Sequence, residues 1–273
     1  MADSGGGGDI SWVRQCFSDT SLLYGDYVMM REIAELLEWL SVPYWLDGGS
    51  LLGVLRHNSF IPYDDDIDVC VVYQDFEPLI ECFSRLLARK NYTLKPGKDG
   101  NAWVERHGRR IVTYWQIFIT PAKAAQILLE MTGSNPTQAQ VDQYMSAPQP
   151  YADILLTEVQ PDQTIQYLGD YYGNPPYQHG NIFPLRNVDL LGHTVTIPSR
   201  PVQYLRQTYR TDGNPVTDSV VWYEHKAKVE PICNARQRFS LLEGNTLEVM
   251  NGYLQRVFRD RLTVTTRDSL LQF

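Results

Sequence analysis

No stretch of about 18 consecutive apolar residues occurs in the chain, so it offers no transmembrane helix. The first ten residues, MADSGGGGDI, lack the apolar segment of a secretory signal and read as a disordered, glycine-rich tail over residues 1–9. Basic residues are scarce: 24 Lys and Arg stand against 32 Asp and Glu, for a formal charge of −8, which argues against a nucleic-acid partner. Cysteine is sparse too. Cys16, Cys70, Cys82 and Cys233 are far apart, form no C-x-x-C pair and are joined by no histidine cluster, which argues against a zinc centre. Cys70 sits in an apolar run and reads as a packed free thiol, a pattern that suits a reducing compartment.

What is present is enough for a substantial core: 273 residues, 43% hydrophobic and 12% aromatic. The organising stretch is residues 44–72, YWLDGGSLLGVLRHNSFIPYDDDIDVCVV. A short apolar run, residues 44–46, reads as a buried strand. Gly48, Gly49 and Ser50 then turn the chain into a short helix over residues 51–56. Asp64, Asp65, Asp66 and Asp68 lead into a second apolar run, residues 69–72. Residues two apart on a strand share a face, so Asp66 and Asp68 point one way while Ile67 and Val69 enter the core. Two carboxylates so placed make a hard-oxygen site suited to Mg²⁺ or Mn²⁺. A helix opening at Gly49 and Ser50 offers free N–H groups and a positive dipole end, a setting that takes phosphate. A phosphate cradle feeding a carboxylate pair points to metal-assisted phosphoryl transfer.

The glycine–serine turn followed by Asp66-Ile67-Asp68 resembles the Gly-Ser and Asp-x-Asp signature of the nucleotidyltransferase fold. The longer string GGSLLGVLRHNSFIPYDDDIDV resembles the LicD family, which includes bacterial phosphocholine transferases and the animal fukutin and fukutin-related proteins. The resemblance covers roughly residues 26–215 and is strongest over residues 44–72. It implies an α+β fold: a nucleotidyltransferase-like core, a mixed sheet flanked by helices, a helical insertion and a helical C-terminal part. The implied division is a catalytic domain over residues 10–215, an insertion near residues 121–150, and a C-terminal extension over residues 216–273.

The resemblance also assigns roles. Asp66 and Asp68 become metal ligands. Asp153, in the apolar run YADILL, matches the third carboxylate of the fold, either as a ligand for a second ion or as the base on an acceptor hydroxyl; a surface-edge aspartate is the rival reading. Gly48, Gly49 and Ser50 would hold donor phosphate. Asp64 joins them as a substrate-side residue, with Asp65 beside it in a loop that could equally be a solvated turn. Arg56 would bridge diphosphate oxygens or form a structural ion pair. Trp45, Trp103, Trp115 and Trp222 are candidates for stacking on a base or on choline, against the commoner role of core filling.

The activity so implied is transfer of a phospho-substituted group, phosphocholine or an alditol phosphate, from a CDP-linked donor such as CDP-choline to the hydroxyl of a glycan or small molecule. Two Mg²⁺ or Mn²⁺ ions would assist, and CMP would leave. The alternatives are a nucleotidyltransferase that releases pyrophosphate, and a non-catalytic glycan- or partner-binding protein. Many eukaryotic relatives carry a membrane anchor, so its absence from this sequence gives a cytoplasmic expectation. The Golgi or secretory lumen is the alternative if an anchor has been removed.

The remaining chain yields coarser expectations. Apolar spacing predicts a helix over residues 26–40 with Asp26 as its cap, and a single helix over residues 75–90. A hairpin is expected across residues 103–119, helices within residues 121–145, and helical stretches near residues 220–229 and 247–258.

Overall fold

A computed structural model describes residues 17–98, 102–106, 108–169, 175–216, 220–221, 238–239 and 246–258. Helix α1 (Thr20–Trp39) begins earlier than expected, because Asp19 rather than Asp26 caps it: the Asp19 side chain accepts from the Ser21 N–H at 2.7 Å. Asp26 lies buried within the helix. Leu23, Tyr27, Met30, Ile33 and Leu37 recur at helical spacing and are all buried. Ser41, with φ at 56°, and Pro43 end the helix and deliver the chain to β1 (Tyr44–Leu46).

Helix α2 (Gly48–His57) and β2 (Ile67–Val72) follow as the apolar pattern requires. The expected helix over residues 75–90 is divided. Pro78 has no N–H to give, and the chain runs as α3 (Tyr73–Phe76), a 3-10 turn (Glu77–Leu79) and α4 (Ile80–Arg89). Strand β3 (Tyr92–Pro96) comes next. The expected hairpin is confined to β4 (Trp103–Arg106) and β5 (Arg109–Val112). Thr113, buried between backbone partners at Ala102 and Leu156, separates it from β6 (Tyr114–Ile119), which joins the main sheet instead.

Residues 121–150 hold two helices. Thr120 caps α5 (Pro121–Thr132), and Thr137 with Gln140 forms a reciprocal capping box on α6 (Gln138–Ser146). Then come β7 (Tyr151–Val159), β8 (Thr164–Tyr167), β9 (Tyr177–Gln178), α7 (His179–Ile182), the hairpin β10 (Arg186–Leu190) and β11 (His193–Ile197), and α8 (Pro201–Thr208). Val220 and Val221, expected in a helix, form β12 (Val220–Val221), which pairs with β13 (Arg238–Phe239). Helix α9 (Thr246–Val257) agrees with the helical expectation there. The N-terminal tail and most of residues 217–245 lie outside the described residues.

The main sheet runs β1-β2-β7-β6-β3, with β8 beside the far end of β7 and β9 beside β8. The β2–β7 pair is parallel and the other pairs antiparallel, so the sheet is mixed. Strand alternation sorts its residues onto two faces. One face carries Tyr92, Ile117, Ile154 and Val69 towards α1 and its neighbours. Glu32 of α1 ties this layer together, accepting from Tyr92 Oη at 2.6 Å and pairing with the buried Lys123 of α5 at 2.9 Å. The opposite face carries Cys70, Asp68, Asp153 and Gln116, and α8 reaches it through Tyr204. Among the described residues, no helix is long and apolar enough to cross a membrane.

Candidate active site

Strand register builds the acidic cluster. In the parallel pair, Asp68 stands opposite Asp153, on the face away from α1. Asp66 ends the loop before β2 and shares that side. One carboxylate oxygen from each of Asp66, Asp68 and Asp153 lies within 4.8 Å of the others. Asp64, Asp65 and Asp66 form a second such group, with Asp66 common to both. Residues 85 apart in sequence thus meet because β2 and β7 are neighbours.

Neutral groups hold the cluster in place. Ser50 Oγ accepts from the Asp68 N–H at 3.0 Å, fixing the opening of α2 against β2. Tyr151 Oη donates to Asp66 Oδ2 at 3.0 Å, and Gln116 Nε2 donates to Asp153 Oδ1 at 3.0 Å. Among the described residues, no side-chain donor reaches the Asp68 carboxylate. Burial pushes the Asp68 carboxyl well above its ordinary value, and the charges of Asp66, Asp153, Asp47 and Asp64 push it further. Burial, then Asp66, Asp65 and Asp153, raises the Tyr151 phenol, which keeps its proton and remains a donor. Carboxylates crowded this closely, with acceptor oxygens only, fit a hard divalent cation and do not fit a soft metal.

The cradle is arranged differently from the sequence expectation. Gly48 adopts φ 45° and Asp47 precedes the helix as its cap residue. A Cβ on Gly49 would lie 2.2 Å from Asp64 Oδ2, so the Asp64 carboxylate rests against the opening turn of α2, at its positive end. A side chain at residue 49 would have to displace that carboxylate. Arg56 is buried, and its guanidinium donates through Nε to the Val216 carbonyl at 3.2 Å and through Nη2 to the Pro215 carbonyl. These bonds tie α2 to the segment after α8. His57 is buried beside it, bonded through Nδ1 to Asn251 Oδ1 at 2.8 Å, with its pKa lowered by burial to about 4.

Sequence reasoning missed the group behind the cluster. Asp47 is wholly buried, yet it accepts from Tyr167 Oη at 2.5 Å, Tyr204 Oη at 2.8 Å and Cys70 Sγ at 3.4 Å. Trp45 Nε1 donates to Tyr204 Oη at 3.2 Å, extending the network. Burial raises the Asp47 carboxyl, and the tyrosine hydrogen bonds oppose that rise. The two tyrosines come from distant elements, and no local pattern announces them. Gln116 and Tyr151 were also missed; strand alternation puts Tyr151 on the same face as Asp153, two residues on, and was the available signal.

Of the four tryptophans considered for stacking, Trp45 is core, and Trp115 points from β6 to the face opposite Gln116. Trp103 is half-buried under the Arg110 guanidinium, 4.3 Å from the ring centroid. Trp222 lies outside the described residues.

The family model for the LicD/FKTN/FKRP nucleotidyltransferase domain matches residues 41–200, more than half of the chain. The chain belongs to the LicD family. That domain carries the whole carboxylate cluster, from Asp64 to Asp153. An uncharacterized protein of Rickettsia typhi, RT0683, is 35% identical over 75 residues, 26% of this chain and 23% of that protein. The ribitol 5-phosphate transferase FKRP of Homo sapiens is 47% identical over 45 residues, 16% of this chain and 9% of that protein. The lipopolysaccharide cholinephosphotransferase LicD of Haemophilus influenzae is 33% identical over 64 residues, 23% of this chain and 24% of that protein. The aligned stretches thus span a quarter or less of these curated relatives.

Proposed function

We propose that the chain is a metal-dependent transferase that moves a phospho-substituted group, phosphocholine or an alditol phosphate, from a CDP-activated donor to an acceptor hydroxyl, with release of CMP. The observation that carries this reading is the meeting of Asp66, Asp68 and Asp153 within 4.8 Å on one sheet face. Membership of the LicD family supports the reaction class, since two matched relatives are named for transfer of a substituted phosphate.

A divalent cation held by Asp66, Asp68 and Asp153 would supply Lewis-acid stabilisation of the charge on the transferred phosphate. The chain's own groups position that reaction. Ser50, Tyr151 and Gln116 fix the directions of the strand and of two carboxylates. The acceptor oxygen attacks phosphorus, the bond from phosphorus to the CMP oxygen breaks, and the hydroxyl proton passes to solvent water, Asp153 being engaged as a ligand. Asp64, lying against the α2 opening, sets the charge at the end of the helix that faces the cluster.

The test is a screen of CDP-choline and CDP-alditols with Mg²⁺ or Mn²⁺ and hydroxyl acceptors, read by mass spectrometry. Release of CMP with phosphate-linked product is the expected result. Release of pyrophosphate from a nucleoside triphosphate would instead identify a nucleotidyltransferase, and no turnover of any donor would contradict the enzyme reading.

A further inference from the structure

The carboxylate face carries much negative charge, yet on the proposed function it must receive a donor that is itself an anion. The cation expected to meet that donor, Arg56, donates to the backbone carbonyls of residues 215–216, and Asp64 rests against the helix opening expected to hold phosphate. Positive charge enters the same face from the other side. Asp68 stands opposite Asp153, Asp153 opposite Gln116, and Gln116 opposite Lys95. These four residues form one row across β2, β7, β6 and β3. At about 4.8 Å per strand, the Lys95 backbone is roughly 10 Å from that of Asp153, with the Gln116 amide between them.

A second lysine joins the first. Lys95 Nζ lies 5.4 Å and Lys98 Nζ 5.6 Å from the centroid of the Phe118 ring, which gathers two like charges around one aromatic ring. Phe118 stacks on Tyr151 with centroids 6.2 Å apart, and Tyr151 is the residue bonded to Asp66. The Lys98 backbone is also held: its N–H donates to Tyr114 Oη at 3.2 Å, and Gly97 lies so close on the Tyr114 ring that a Cβ would fall 2.0 Å from Cζ. Both lysines are exposed, and among the described residues no carboxylate lies within ion-pair distance of either.

We propose that Lys95 and Lys98, gathered around Phe118 at the β3 end of the Asp68–Asp153–Gln116 row, form the subsite for the phosphate of the donor's leaving nucleotide. The ligand class is a nucleoside diphosphate, with the phosphate that is transferred at the carboxylates and the phosphate that stays with the nucleoside at the lysines. This rests on the proposed function for the presence of an anionic donor. Two ammonium groups then offset the charge that grows on the leaving phosphate as its bond to the transferred phosphorus breaks.

The experiment uses cytidine diphosphate, cytidine and inorganic pyrophosphate as probes, titrated by calorimetry into the full chain both with and without Mn²⁺. The variants are the Lys95→Ala, Lys98→Ala double substitution, the Lys95→Arg, Lys98→Arg double substitution, and Lys90→Ala as a control that removes a lysine paired with Glu35. The alanine pair is expected to weaken cytidine diphosphate and pyrophosphate by at least about tenfold and to flatten the salt dependence of their binding. It should leave Mn²⁺ and cytidine binding unchanged. The arginine pair and Lys90→Ala should bind as the wild type does. Absence of lysine-dependent binding of either phosphate probe overturns the subsite, as does an equal loss of cytidine and cytidine diphosphate. Failure of the wild-type chain to take Mn²⁺ counts against the transferase reading alone, because the lysine dependence is also read without metal.

Discussion

A single buried aspartate and an acidic cluster adjoin in this protein and are treated in opposite ways. Asp47 is wholly buried and surrounded by donors: two tyrosine hydroxyls and a thiol. Asp68, joined to it through a 3.0 Å bond from the Asp47 N–H to the Asp68 carbonyl, has no side-chain donor among the described residues and faces Asp66 and Asp153. A buried carboxylate stays in a fold when hydrogen bonds replace its water. Asp47, a single carboxylate among tyrosine and thiol donors, meets that condition and serves the frame. Half-buried Asp68 does not meet it with any side-chain donor among the described residues, and on the proposed function a cation would take that place. The contrast separates a structural acid from one that, on the proposed function, would bind a cation.

The contrast breaks first, and most severely, at Asp68. Asp68→Asn is expected to lower turnover at least about a thousandfold, the several kcal/mol that a bound cation supplies, while the melting temperature holds or rises as like charges are removed. Asp47→Ala should do the reverse. It removes the carboxylate that two buried hydroxyls share, leaving them to each other at 3.0 Å, and should lower stability by about 3 kcal/mol in denaturant titration, with turnover per folded molecule far less affected. Gly49→Ala falls between the two. Its new Cβ would meet Asp64 Oδ2 at 2.2 Å, which should lower stability by about 2 kcal/mol and disturb the α2 opening that faces the carboxylates. Retained stability and activity in that variant would show that Asp64 moves aside freely.

The smallest effect is in pH dependence. The Asp68 carboxyl is raised in the folded chain, by burial first and by its acidic neighbours next. Above its ordinary value of 3.8 the unfolded chain has released a proton that the folded chain still holds. Stability of the cation-free chain therefore falls as pH rises through that window. Thermal melts between about pH 4 and about pH 7 should show this slope, and Asp68→Asn or excess Mg²⁺ should flatten it. A slope that neither change touches would place its origin elsewhere.

What the sequence made legible follows from range. Residues 44–72 carry their own instructions: apolar runs, a glycine turn and an aspartate series. The structure places β1, α2 and β2 where those patterns require. Asp153 was legible only through resemblance, yet β2–β7 pairing brings it to the cluster. The capping of α1 by Asp19 was missed because Asp26 also stands in a plausible capping position, and burial rather than local pattern decides between them. The division of the helix at Pro78 was legible and overlooked. The tyrosine donors to Asp47 come from β8 and α8, more than 100 residues away, and no spacing rule connects them. Arg56 shows the same limit: its partners, near residue 215, are chosen by how α8 leads onward and not by the motif that contains it.

The most direct measurement is titration of the wild-type chain and of Asp68→Asn and Asp153→Asn with Mn²⁺, followed by electron paramagnetic resonance of the free ion. The wild-type chain should take up Mn²⁺, and each variant should weaken that uptake by more than about a hundredfold, beyond what loss of a supporting hydrogen bond produces. Equal uptake by all three proteins would contradict the assignment of Asp66, Asp68 and Asp153 as a cation site.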